Sequence, residues 1–218
     1  EIYCENGWYD TKNDLSQFNQ NAKIVTPDQT LEGDSLFYDR NTGVGQVFGD
    51  IVMNDTVQGI IMTGDYAFYN EKTDMSMITG DAVMTQVFDD DSLFLHADTL
   101  FSTADTAGKK LVKAYYHVKF FRSDLQGKCD SLVYSEADST FKMFHDPVLW
   151  SEDNQLTGDY VEMRTYEGKI EQLTLLNSAF IISEQDSTSY NQIKGKKMTG
   201  YFAGNSLQKI LVEGNGQT

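Results

Sequence analysis

Proline is almost missing from this chain: there are two in 218 residues. Semi-rigid proline-rich linkers between modules are therefore excluded. Cysteine is equally scarce, with Cys4 and Cys129 alone, so neither a disulfide framework nor a multi-cysteine metal site can be built. No apolar run approaches the roughly 20 residues that a membrane-spanning helix needs. Long stretches of 3.6-residue hydrophobic periodicity are also wanting, and the pattern yields no convincing helix. Basic side chains are few: 17 Lys and Arg face 33 Asp and Glu, a net charge of −16. Phosphate contacts need clustered Lys and Arg, so nucleic acid is a poor partner, and docking onto an anionic membrane surface is disfavoured. No signal peptide is visible; a start at Glu1 reads as a mature or trimmed one and leaves export open.

What is present is a core's worth of apolar residues (40%, with 12% aromatic) and a sentence written repeatedly. "LEGDSLFYDRNTGVGQVFGDIVMND" (31–55) and "MTGDYAFYNEKTDMSMITGDAVMTQ" (62–86) overlay without a gap. The shared motif is apolar, small, acidic, apolar, and often Tyr, as in Leu31-Gly33-Asp34-Leu36-Tyr38 and Met62-Gly64-Asp65-Ala67-Tyr69. It recurs from Cys4-Glu5 to Gly195-Lys196, with its small residues spaced 29, 31, 33, 32, 29 and 37 apart. Seven copies of about 31 residues follow, and a fixed period governs every later inference. The last step carries an insertion between Asn177 and Gln192.

Within one copy the alternation is that of a strand, but its phase slips by one between Gly33 and Leu36. Such a slip is what a bulge or bend produces. Each copy is expected to form two strands joined by a turn such as "RNTG", bent at Gly33, Gly49, Gly64, Gly80 and Gly158, where glycine permits unusual backbone. Tight turns suit antiparallel pairing better than a parallel β-helix. Cys4 and Cys129 sit in copies four units apart, at least about 19 Å by strand spacing, beyond the roughly 7 Å that a disulfide allows.

Chemistry is hard to find. His96, His117 and His145 share no column of the repeat, which argues against a metal site. Asp89, Asp90 and Asp91 lack the spaced loop of a calcium hand and read as a solvated turn. A catalytic pair of acids is unique to its site, whereas here the acid recurs as Glu5, Asp34, Asp65, Asp98, Asp130 and Asp159. Nothing singles out a nucleophile. On the apolar columns alone, a closed dry core is the simpler reading, although Met and large side chains also suit a lipid-lined groove.

The repeated segments quoted above, with "MTGYFAGNSLQKILVEGNGQT" (198–218), resemble the OstA-like, LptA-type family of periplasmic lipopolysaccharide-transport bridge proteins. The resemblance covers nearly the whole chain and implies an all-β, elongated, open antiparallel β-jellyroll, taco-like, here of about seven two-strand units. Repetition from end to end favours one domain over 1–218, and alignment of Gly214-Asn215 with Gly49-Asp50 leads to the expectation that the last copy is cut short. The implied function is a non-enzymatic periplasmic carrier and bridge, with no cofactor and no metal, which shields lipid A acyl chains in an apolar groove on the way to the outer membrane. The expected lipid-binding residues are Leu36, Tyr38, Val47, Ile51, Met53, Ala67, Tyr69, Ile78 and Met84, with Leu132, Tyr134, Val161 and Met163. Expected partners are lipopolysaccharide or a related lipid and, head to tail, further copies or related bridge domains. The alternative is a structural or adhesive β-solenoid scaffold with a closed core.

Overall fold

The computed structural model describes the chain apart from residues 89–90, 152, 187–188 and 204–205 and the side chains of 185 and 186. The described elements are seventeen strands. They fall into two compact units, Glu1–Gly108 and Lys109–Thr218.

The first unit holds β1 (Ile2–Tyr3), β2 (Asn6–Asp10), β3 (Leu15–Val25), β4 (Gln29–Asp39), β5 (Val44–Asp55), β6 (Ile60–Asn70), β7 (Met75–Val87) and β8 (Ser92–Ala104). From β2 to β8 each strand pairs antiparallel with the next, and β1 pairs with β3. Asp39 and Asn70 shape two of the turns: each side chain accepts the amide hydrogens two and three residues on. This local bonding is why Asp and Asn favour such corners.

Every long pairing in this unit slips register near its middle, for example between Glu32 and Ser35 on β4 opposite β5, and between Thr63 and Tyr66 on β6 opposite β7. The slips fall where the alternation changes phase. The left-handed backbone that makes them falls at only two of the five expected glycines. Gly49-Asp50 on β5 and Gly80-Asp81 on β7 take positive φ (72° and 42°, 84° and 48°). Gly33, Gly64 and Gly158 do not. Gly33 and Gly64 are glycines for lack of room: a Cβ on Gly33 would stand 2.6 Å from Val47 Cγ1, and one on Gly64 2.7 Å from Ile78 Cγ1. Other strands make the same left-handed doublet without glycine, at Gln20-Asn21, Tyr116-His117 and Asn177-Ser178.

The second unit holds β9 (Lys110–Arg122), β10 (Leu125–Ser135), β11 (Thr140–Phe144), β12 (Val148–Ser151), β13 (Asn154–Thr157), β14 (Tyr160–Tyr166), β15 (Lys169–Asp186), β16 (Ser189–Ala203) and β17 (Ser206–Glu213). β10 pairs with both β11 and β12, β15 with both β13 and β14, and the two short pairs join as β11–β14 and β12–β13. The circuit β10–β11–β14–β15–β13–β12 therefore returns to its start.

This closed six-stranded barrel, with β9, β16 and β17 of the same unit outside it, corrects the expected open, taco-like jellyroll solenoid. The physical cause is local. The chain breaks between β11 and β12 at His145 and Asp146, both with positive φ, followed by Pro147, and between β13 and β14 at Gly158-Asp159. Each half then takes its own partner. The insertion after Asn177 lengthens the β15–β16 hairpin, where Phe180 lies opposite Lys194 and Glu184 opposite Tyr190.

The ring is filled. One cross-strand row runs Leu132, Met143, Val161, Leu175, and another runs Leu149, Leu156, Ile181; none of the seven is more than 3% exposed. At about 1.5–3 kcal/mol for each fully buried large aliphatic side chain, these rows are a main source of the unit's stability.

Candidate functional site

The expected lipid-binding residues divide between the two units. In the first, Leu36, Val47, Ala67 and Ile78 stand in one cross-strand row on the inward face, and Leu36, Val47 and Ile78 are buried. Ile51, further along β5, is 1% exposed. Met53 and Met84 flank Met62 in a second row and are half-buried. The two tyrosines are less apolar in their surroundings than expected. Tyr38 donates its hydroxyl to Glu71 at 2.9 Å, and that bond raises its pKa. Tyr69 is 44% exposed. In the second unit Leu132 and Val161 both pair with Met143, and Tyr134 and Met163 both pair with Phe141. The Tyr134 and Phe141 rings lie 4.5 Å apart. These four belong to the closed ring.

Two groups in the second unit are held neutral by burial. Cys129, on β10, is pushed up to about 12, chiefly by desolvation. Tyr160 also rises to about 12, first through burial and then through its hydrogen bond to Glu162. A thiol so raised carries almost no thiolate at neutral pH and is inert. Cys4 is exposed; both cysteines are free thiols.

Among the described residues no group of three or more His, Cys, Asp or Glu is placed to hold a metal ion. Asp89 and Asp90 of the acidic triplet lie outside the described residues. Asp91 accepts the Ser92 amide hydrogen. Two concavities open on the first unit. One, of about 310 Å3, is lined by Asn21, Ala22, Lys23, Glu32, Gly33, Asp34 and Asp50; the other is bordered by Glu5, Asn19, Gln20, Asn21 and Asp34. Most of the side chains that border them are polar or charged. No buried side-chain nitrogen or oxygen among the described residues lacks a hydrogen-bond partner.

Sequence reasoning missed the outward face of the first unit. Alternation turns Phe37, Gln46, Phe68 and Met77 away from the buried row, and these four also stand in register. Phe48 and Tyr66 form a parallel row, their ring centroids 5.2 Å apart. The signal was available in the letters: apolar residues occupy both phases of these strands, as in "SLFY" (35–38) and "YAFY" (66–69). Charge is uneven as well. The first unit carries 4 Lys and Arg against 19 Asp and Glu, a net of −15, whereas the second carries 13 against 14, a net of −1.

Residues 62–169 match the family described as "LptA/(LptD N-terminal domain) LPS transport protein". The matched stretch is just under half of the chain and runs from β6 to the start of β15. No curated protein matches the chain. Among solved structures, that of LptH, the LptA homologous periplasmic component of the conserved lipopolysaccharide transport device from Pseudomonas aeruginosa, is 11% identical. Its alignment covers 66% of this chain and 80% of that one, with a TM-score of 0.29, too slight a likeness to carry an argument. The partial match is consistent with a distant relationship to the lipopolysaccharide-transport family that it names.

Proposed function

We propose that this protein is a non-catalytic structural or adhesive β-scaffold of the periplasm, with a closed core, that works through its surface. The observation that carries this reading is the filled ring of the second unit, where Met143, Leu149 and Val161 are fully buried. An acyl chain needs an apolar space to enter, and the ring's interior is occupied by the protein's own side chains. The expected open groove for lipid A is overturned by that closure. The match over 62–169 supports a place near lipopolysaccharide transport, with lipopolysaccharide or like domains, its own copies included, as the general class of surface partner.

The test is uptake of an apolar fluorophore. The scaffold reading predicts no saturable binding of N-phenyl-1-naphthylamine that lipid A displaces. Saturable uptake near one equivalent, displaced by lipid A and lost on Val161→Asp in a folded variant, would sink it.

A further inference from the structure

We infer that the outward face of β4–β7 is a docking surface for a cationic, amphipathic polypeptide segment, one in which Arg or Lys alternates with apolar residues. This goes beyond the scaffold reading and stands whether or not the core is closed.

The apolar half of the face is the pair of rows carrying Phe37, Phe48, Tyr66, Phe68 and Met77. They lie on the side of the sheet opposite the buried Leu36, Val47 and Ile78, so they are not needed to fill that core. Phe48 is 42% exposed and the others are half-buried. Gln46 donates to the Tyr66 hydroxyl at 3.0 Å, which holds that ring beside Phe48. Contiguous outward aromatic surface of this kind marks an interaction site more often than isolated exposed residues do.

Charge complementarity decides the occupant. Strands β4 to β8 contain no Lys or Arg at all. At the bend edge of the aromatic rows each of β4, β5, β6 and β7 presents one exposed carboxylate: Asp34, Asp50, Asp65 and Asp81. Asp34 and Ser35 both fall between the inward Gly33 and Leu36, and Asp65 and Tyr66 between Gly64 and Ala67, so the register slip turns these two acids to the aromatic side. None of the four acids has a hydrogen bond or ion pair among the described residues. Arg satisfies such a border, because its guanidinium stacks on aromatic faces and pairs with carboxylates in one geometry. A membrane surface or nucleic acid, both anionic, is repelled by the same field.

The test uses the full chain and two synthetic peptides of equal length and charge, one alternating Arg with Leu and one alternating Arg with Ser, followed by fluorescence anisotropy. The Arg-Leu peptide should bind at least about tenfold more tightly, since a few buried apolar anchors carry most of the affinity of such an interface. Phe68→Ser should weaken it by about tenfold. Asp50→Asn with Asp81→Asn should weaken it similarly and flatten its salt dependence; Asn tolerates the left-handed backbone at both positions, so that variant keeps its fold. If Phe68→Ser does not fold, Phe48→Gln supplies the apolar arm. Tyr166→Ser, an exposed aromatic of the second unit, should change nothing.

Equal binding of both peptides would reduce the effect to net charge and overturn the inference, as would wild-type affinity in the Phe and Asp variants. Self-association of the chain lost on Phe68→Ser, with no peptide binding, would give the face to a second copy and overturn it too.

Discussion

The side chain of Asp34 lies over the bare backbone of Gly49. A Cβ added to Gly49 would stand 2.7 Å from the Asp34 carboxylate carbon and 2.9 Å from its Cβ. Asp65 covers Gly80 in the same way, its Cβ 2.6 Å and its Oδ2 2.7 Å from the missing methyl. The two Gly-Asp doublets of one repeat therefore interlock across a strand pair, the acid of the first above the glycine of the second. That is why a sequence would write Gly-Asp twice in 25 residues.

Gly49→Ala should test the interlock. The left-handed φ of 72° costs an alanine about 1 kcal/mol, and displacing Asp34 should bring the total to about 2 kcal/mol. Gly168 has a similar φ of 74° but nothing within 4 Å, so Gly168→Ala should cost only the backbone part. In an Asp34→Gly background the penalty at Gly49 should fall to that smaller value, a coupling that a double-mutant cycle in urea reads directly.

Burial separates the apolar positions into two classes. Leu149→Ala and Met143→Ala, at 0% exposure, should each cost about 2–5 kcal/mol. Ile51→Asp should cost several kcal/mol, since it strands a charge at a position only 1% exposed. Tyr69→Asp, at 44% exposure, should cost about 1 kcal/mol or less. Equal losses at Ile51 and Tyr69 would mean that the inward face of the first unit is closed along its whole length.

Alkali should loosen the second unit. The Cys129 thiol rises from 9.0 and the Tyr160 phenol from 10.0, each to about 12 in the folded chain. Below about pH 9 both are protonated whether folded or not, and stability is at its full value. As pH climbs from there toward 12 the unfolded chain releases protons that the folded chain keeps, so stability falls. Unfolding followed from pH 8 to 11 should show this decline, and Cys129→Ala should shift its onset upward. A thiol reagent at pH 8 should label Cys4 quickly and Cys129 only on unfolding.

Acid should act on the turns. Hydrogen bonds from Asn13 to Asp10 and from Thr42 to Asp39 hold those carboxyls below their usual range. Their contribution is present above the ordinary carboxylate pKa and is lost as pH falls through the lowered one. Thr42→Val should flatten the acid limb of a pH–stability curve if the Asp39 turn matters; an unchanged limb would show that water replaces the bond.

The strands and their slips were legible because alternation is a local property: the phase change between Gly33 and Leu36 sits where the register breaks. The left-handed doublets were legible only where glycine marks them. Tyr116-His117 and Asn177-Ser178 take the same backbone without a glycine, and the letters of Tyr116 and Ser178 give no warning; the surrounding sheet holds them there. Closure of the ring was not legible. It depends on which partner Val148–Ser151 and Asn154–Thr157 choose after the breaks at His145-Asp146 and Gly158-Asp159, and no periodicity encodes partner choice. The apolar columns at Leu132, Val161 and Met163 were found, but a column does not say whether it faces lipid or another row of the same protein.

The most direct test of the closed core is native mass spectrometry of the full chain purified from a Gram-negative host without detergent. A filled ring predicts the mass of the polypeptide alone, unchanged after extraction with organic solvent and refolding, and unchanged by Leu156→Ala apart from the substituted atoms. A stoichiometric acyl-chain adduct that survives gentle ionisation, disappears on Val161→Asp and returns on incubation with lipid A would contradict it.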